Sequence, residues 1–222
     1  MQIADCRLQI GRGSLCALCA LLLVLGAARR SAGAEIIDRV LAVVAGTLIT
    51  LSDVNAVIDL HLMVVEEGAD PIRQILPRLI DRALMLAEVE RYAPPEPDAD
   101  AVSRQLATVR TRFPTAQAFE ASLAGVGFDE RHLRETLRQD LRILAYLDQR
   151  FTVQPPTDDD LGRFYREHPQ RFTENGRLTP FDQARPRILE AATTERRQRL
   201  VDDWVDGLRR RAEIINLSAT AR

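Results

Sequence analysis

Past residue 19 this chain has no cysteine; Cys6, Cys16 and Cys19 are its only three. No disulfide can staple the remainder, so its stability rests on an ordinary apolar core. Lysine is absent altogether and every basic side chain is arginine, which says little about mechanism. Histidine is scarce: His61, His132 and His168 lie far apart, with no i, i+4 pair and no cysteine nearby. That spacing argues against a zinc site. A Gly-rich phosphate loop is missing, since Gly11-Arg12-Gly13 sits in the N-terminal leader, and no Gly-x-Ser-x-Gly elbow occurs. Without an aromatic-basic patch, and with a formal charge of −2, the chain is a poor nucleic-acid binder. These absences leave no residue assigned to catalysis, to a metal or to a cofactor.

What is present begins with an export signal. Arg7 and Arg12 form a basic region, Leu15 to Ala28 is apolar, and Ala32-Gly33-Ala34 supplies the small residues of a cleavage site. The apolar run is short of the ~20 residues of a membrane span. Residues 1–34 therefore read as a secretory signal peptide cut after Ala34, with retention as an anchor the alternative. Cleavage removes four arginines and one aspartate. Basic residues fall from 30 to 26 and acidic ones from 32 to 31, so the exported chain carries −5.

The exported part is organised around Pro71 to Tyr92. Ile72, Ile75, Leu76, Leu79, Ile80, Leu84 and Val89 recur at helical spacing over more than one stripe, which predicts a central helix. Asp70 caps it, Pro71 opens it, Pro77 predicts a kink or a later start, and Ala93-Pro94-Pro95 ends it. Before it, Glu35 to Thr50 reads as a short hairpin turning at Ala45-Gly46-Thr47. A capping box from Thr50 to Asp53 opens a helix with Val54, Val57, Ile58, His61, Leu62 and Val65 on one face, ending at Gly68. His61 on that face reads as a core histidine, and Glu66-Glu67 as a solvated helix end.

After it, Asp98 or Asp100 caps a helix carrying Val102, Leu106, Val109 and Phe113. A short helix carries Phe119 and Leu123. Asp129 caps a long helix to about Phe151, with Leu133, Leu137, Leu141, Leu144 and Leu147 inward. Val153 to Pro156 is a hinge. Thr157 to Asp160 opens a helix with Leu161, Phe164 and Tyr165; the three aspartates suit a helix N-terminus better than a cation site. Thr173 to Pro180 is a polar, turn-rich connection. The last helix starts at Phe181 or Pro186 and runs to Arg211, with Ile188, Leu200, Trp204 and Leu208 aligned. Glu213 to Leu217 is strand-like and closes the N-terminal hairpin into a small sheet.

This order of elements resembles the SurA-type periplasmic chaperones. The resemblance rests on Ile37-Asp38-Arg39-Val40 followed by Leu41-Ala42-Val43-Val44, on Thr50-Leu51-Ser52-Asp53-Val54, and on Arg78-Leu79-Ile80-Asp81-Arg82. It continues through Phe119 to Phe128, Pro180 to Arg185, Trp204 to Arg209 and Ala212 to Ile215, so it spans most of residues 36–217. It implies a mainly α fold, a SurA-like multi-helix core with a small sheet made by the N-terminal strands and a C-terminal strand. In that family parvulin-type prolyl isomerase domains sit before the C-terminal helix. Here only residues 173–180 occupy the place, and the resemblance therefore implies a non-enzyme.

The expected organisation is a helical domain over 35–172, a short linker over 173–180, and a C-terminal helix and strand over 181–222 completing the core. The implied function is an ATP-independent periplasmic holdase for unfolded secreted or outer-membrane proteins. The alternatives are an envelope subunit dedicated to one folded partner and a divergent prolyl isomerase. A homodimer by exchange of the C-terminal helix is also open. Phe113, Phe119, Phe128, Phe151, Phe164, Tyr165 and Phe172 could line a client groove, with core packing as the competing role of each.

Overall fold

The computed structural model describes residues 38–66 and 68–218. The expected signal peptide lies outside the described residues. Strands β1 (Val40–Val44) and β2 (Thr47–Thr50) form an antiparallel hairpin. Its two-residue turn holds Ala45 at φ 49° and Gly46 at φ 84°, the positive values that match strand twist in a tight hairpin. The C-terminal strand β5 (Ile214–Asn216) pairs antiparallel with the other side of β1, and the sheet order is β2-β1-β5. The expected closure of the hairpin by the C-terminus is what the structure shows.

Helix α1 (Leu51–Asp59) opens on the predicted capping box. The Thr50 N–H donates to Asp53 Oδ2 at 2.8 Å and the Asp53 N–H to Thr50 Oγ1 at 3.3 Å. Asp38 braces the same corner by accepting from the Ser52 N–H at 3.2 Å. Burial pushes its carboxyl up, but hydrogen bonds from Thr50 and Ser52 outweigh this and hold it below the ordinary value.

The expectation that α1 runs to Gly68 fails. The helix stops at Asp59 because His61 takes a left-handed conformation, φ 52°. The Leu62 N–H then bonds back to the Val57 carbonyl at 2.9 Å and the His61 N–H to Ile58 at 3.0 Å. That pair of bonds is the Schellman termination, which glycine usually supplies. His61 is accordingly exposed, and the core-histidine reading is overturned.

Helix α2 (Pro71–Tyr92) is central as expected, packing on β1 and β2, α1 and two later helices. The Asp70 side chain caps it and it runs on through Pro77 without a later start. Ile75, Leu76, Ile80, Leu84 and Val89 are buried along it. Each such side chain contributes about 1.5–3 kcal/mol by leaving water. Ala93 ends it at φ 42°.

Helices α3 (Ala99–Arg110), α4 (Ala116–Gly125) and α5 (Glu130–Arg150) are capped by Asp98, Thr115 and Asp129. They enclose a second core of Val102, Leu106, Phe119, Leu123, Leu133 and Leu137. The expected inward row of α5 breaks at Leu144 and resumes at Leu147, which packs on the cluster of Val89, Ile143 and Tyr146. Leu144 is 54% exposed, while Ile143 and Tyr146 are buried. The first half of α5 faces α3. The second half turns a different stripe toward Val89 of α2 and Trp204 near the C-terminus.

Helix α6 (Asp158–Glu167) starts on its own capping box and leads into a 3-10 turn at Pro169–Phe172. The stretch from Thr173 to Pro180 contains a miniature hairpin, β3 (Thr173–Glu174) and β4 (Arg177–Leu178), turned by Asn175 and Gly176 at positive φ. Helix α7 (Phe181–Arg211) is 31 residues long, about 46 Å at 1.5 Å per residue. Its first half packs Ala184, Ile188 and Ala192 on Leu161, Phe164 and Phe172 of the α6 region. Its last turns bring Trp204 and Leu208 to the first core. Leu200 lies between these two stations and is 43% exposed rather than aligned inward.

Candidate functional site

The seven aromatic candidates separate cleanly. Phe119, Phe164 and Phe172 are core residues. Phe113 packs edge-on against Phe119 at 5.5 Å, and Phe151 packs on Trp204 at 5.4 Å. Tyr165 packs on Phe172 and Phe181, and its hydroxyl donates to the Thr179 carbonyl at 2.6 Å. Phe128 alone lines the groove that the fold leaves open between α2 and α5. Its ring is stacked on His132 at 4.0 Å.

That groove has two adjoining compartments of about 240 Å³ and about 720 Å³, which share Met63, Arg82 and Asp140. The smaller is floored by Ile49, Val57, Leu79 and Ala83, and walled by β2 and Phe128. The larger runs along Met85, Ile143, Leu144 and Leu147 of α2 and α5 to Val201 and Val205 of α7. Both methionines beyond the initiator, Met63 and Met85, lie here. Methionine is unbranched and polarizable, and adapts to partners of irregular shape. The aromatic reading missed these two residues; their being the only internal methionines was the available signal.

Charged groups rim the groove and are mostly satisfied by one another. Arg82 Nε donates to Asp140 Oδ1 at 2.6 Å, and its Nη2 reaches the Thr136 carbonyl and Gln139 Oε1, each at 3.2 Å. Burial pushes the Asp140 carboxyl above its ordinary value, with Arg82 pulling the other way. Arg209 grips Asp81 through two bonds of 2.7 and 2.6 Å, and that pairing raises its own pKa. The loop between α1 and α2 carries Met63 into the junction. Arg78 Nη1 holds the Val64 carbonyl at 3.1 Å, and Gln74 clips the backbone of Glu66 from both sides.

A second cavity of about 830 Å³ lies between α3 and α5, and half of the residues lining it are charged. Arg138 there is paired with Glu96 and Glu135. His61, His132 and His168 remain apart: His61 lies near Phe113, His132 on Phe128 and His168 on Phe164. Asp158 pairs with Arg185, while Asp160 caps α6 and pairs with Arg196. Among the described residues no cluster of three His, Cys, Asp or Glu side chains is placed to hold a metal.

Comparison with solved structures finds this architecture elsewhere. A chain from the study of PEB4 and Cj1289, two structurally related SurA-like chaperones of Campylobacter jejuni, superposes with a TM-score of 0.52. The match covers 81% of this chain and 99% of the other, at 14% sequence identity. The fold is SurA-like. No family model matches the sequence, and no curated protein matches it.

Proposed function

We propose that this chain is an ATP-independent periplasmic chaperone, a holdase that shelters unfolded secreted or outer-membrane polypeptides in the α2–α5 groove. One observation carries the reading: an open groove holds both internal methionines among apolar side chains of α2, α5 and α7, within a rim of charges that mostly pair with one another. A client's apolar segment gains by leaving water, while the rim keeps its partners and selects weakly, which suits a promiscuous binder. PEB4 and Cj1289 are described as SurA-like chaperones, and Cj1289 as periplasmic, which supports the same reading. Among the described residues no helix is long and apolar enough to cross a membrane. In this reading residues 173–180 stand where the family carries its isomerase domain, and the chain does no chemistry. A dimer that exchanged residues 180–217 would make the β1–β5 and α2–α7 contacts between two copies, which sedimentation velocity detects as a doubled mass.

The test uses the chain from Glu35 onward. An unfolded outer-membrane protein is diluted into buffer with and without it, and light scattering is followed. Suppression near one-to-one stoichiometry, indifferent to ATP, is expected. No suppression at large excess overturns the reading in favour of a dedicated folded partner, and turnover of a proline peptide would establish an isomerase instead.

A further inference from the structure

Among the described residues no strand pairs with the outer side of β2, and that edge opens into the smaller compartment. In the β1–β2 pairing Val44 lies opposite Thr47 across the two-residue turn, Val43 opposite Leu48, and Ala42 opposite Ile49. Residues flanking such a turn form a hydrogen-bonded pair, and pairs alternate along an antiparallel ladder. Val43 spends its own N–H and C=O on the other neighbour, since the bonds from Ala45 N to Glu213 O and from Leu217 N to Leu41 O set the β1–β5 register. The main-chain N–H and C=O of Leu48 therefore point away from the sheet. Two residues on, the Thr50 N–H is already taken by Asp53.

This edge carries none of the usual protections beyond its brevity. Thr47 to Thr50 includes neither a charge nor a proline, and the Leu48 side chain is 57% exposed. Thr47, Leu48 and Ile49 themselves wall the 240 Å³ compartment. An outward N–H beside an outward C=O is complementary to another extended backbone. A strand laid on this edge would place the neighbours of its paired residue on the face of Ile49, toward the compartment, because side chains alternate.

We propose that an extended segment of the client adds to the sheet at β2, pairing one residue with the main chain of Leu48 while an adjacent side chain enters the compartment. The inference rests on the chaperone reading and specifies how the client is held: by main chain first, with little regard to side-chain identity.

The probe is a short fluorescein-labelled peptide of alternating valine and threonine flanked by arginines, titrated into the full exported chain by anisotropy. Leu48→Pro deletes the edge N–H at a position where an edge strand tolerates proline, and Leu48→Ala keeps it. Leu48→Pro is expected to weaken binding about tenfold, the scale of one net hydrogen bond, while Leu48→Ala does so by less. A series of singly N-methylated peptides is the second arm, independent of whether the proline variant folds. Loss of affinity at one or two positions supports strand addition. Uniform tolerance, with wild-type and Leu48→Pro equally able to suppress aggregation, overturns strand addition and leaves the chaperone reading intact. A wild-type protein that suppresses aggregation but does not bind the peptide overturns strand addition alone, whereas failure to suppress aggregation defeats both. Self-association abolished by Leu48→Pro with peptide binding unchanged would assign the edge to a second copy and overturn the proposal.

Discussion

His61 shows how a single residue redirects the chain. It occupies a left-handed position that costs a side chain roughly 1 kcal/mol and costs glycine nothing. His61→Gly is therefore expected to stabilise the protein by up to about 1 kcal/mol, and His61→Val to destabilise it, both read from urea denaturation midpoints. Arg82 and Asp140 give a second residue-scale test. Asp140 has its pKa raised on folding, so its charged form is a cost at neutral pH that is relieved as pH falls through the folded value. Asp140→Asn should be neutral or stabilising at pH 7, with no advantage at pH 3. Arg82→Met, which strands the carboxylate, should destabilise at pH 7 by roughly 1–2 kcal/mol. Asp38, Asp129 and Asp160 act with the opposite sign. Hydrogen bonds lower their pKa values, so their contribution is present above about pH 4 and is lost as pH falls through the folded values. Denaturation midpoints taken from pH 7 to pH 2 should fall steeply only below about pH 4.

At the scale of elements, α5 divides its two halves between different neighbours, and the exposed side of its second half belongs to the groove. Leu144 is 54% exposed there, so Leu144→Glu should leave thermal stability within about 0.5 kcal/mol while client binding falls about tenfold. Anisotropy and calorimetry on the same sample check both halves of that statement. The existence and caps of these helices were legible in the sequence, because Thr50, Asp70, Asp98, Asp129 and Thr157 each mark an N-terminus with local chemistry. The orientation of a long helix was less so. A heptad-like row at Leu133, Leu137, Leu141 and Leu144 implies one partner, whereas α5 shares one core with α3 and α4 early and another with α2 and α7 late. The early stop of α1 escaped for a related reason: the residue at the left-handed position is histidine, and glycine is the cue one reads. The groove escaped because aromatic residues draw attention, and here most of them are spent on cores. Met63 and Met85 become neighbours only when the α1–α2 loop folds back over α2.

At the scale of the molecule, the architecture depends on its last described residues. Trp204, Leu208 and Ile214 complete the core begun by Leu41, Val44 and Ile49, and β5 supplies the second neighbour of β1. Deleting residues from Glu213 onward should cost roughly 2–4 kcal/mol by uncovering β1 and removing Ile214. A lowered melting temperature with circular dichroism still helical would show it. The sequence pointed to this closure through the strand-like Glu213-Ile214-Ile215-Asn216-Leu217. It could not reveal that the adjoining helix would serve two separate cores on the way.

The pairing of β1 with β5 also imposes a timetable. Whether the chain emerges from a ribosome or, as proposed, from a translocation pore, β1 and α2 come out well before Leu208 and Ile214. Until then the central helix has its apolar stripe only half covered, and the protein is in the condition of the chains it is proposed to protect. The terminal segment works as a clasp, so the native state is reached only once Ile214 has emerged and not when β1 does.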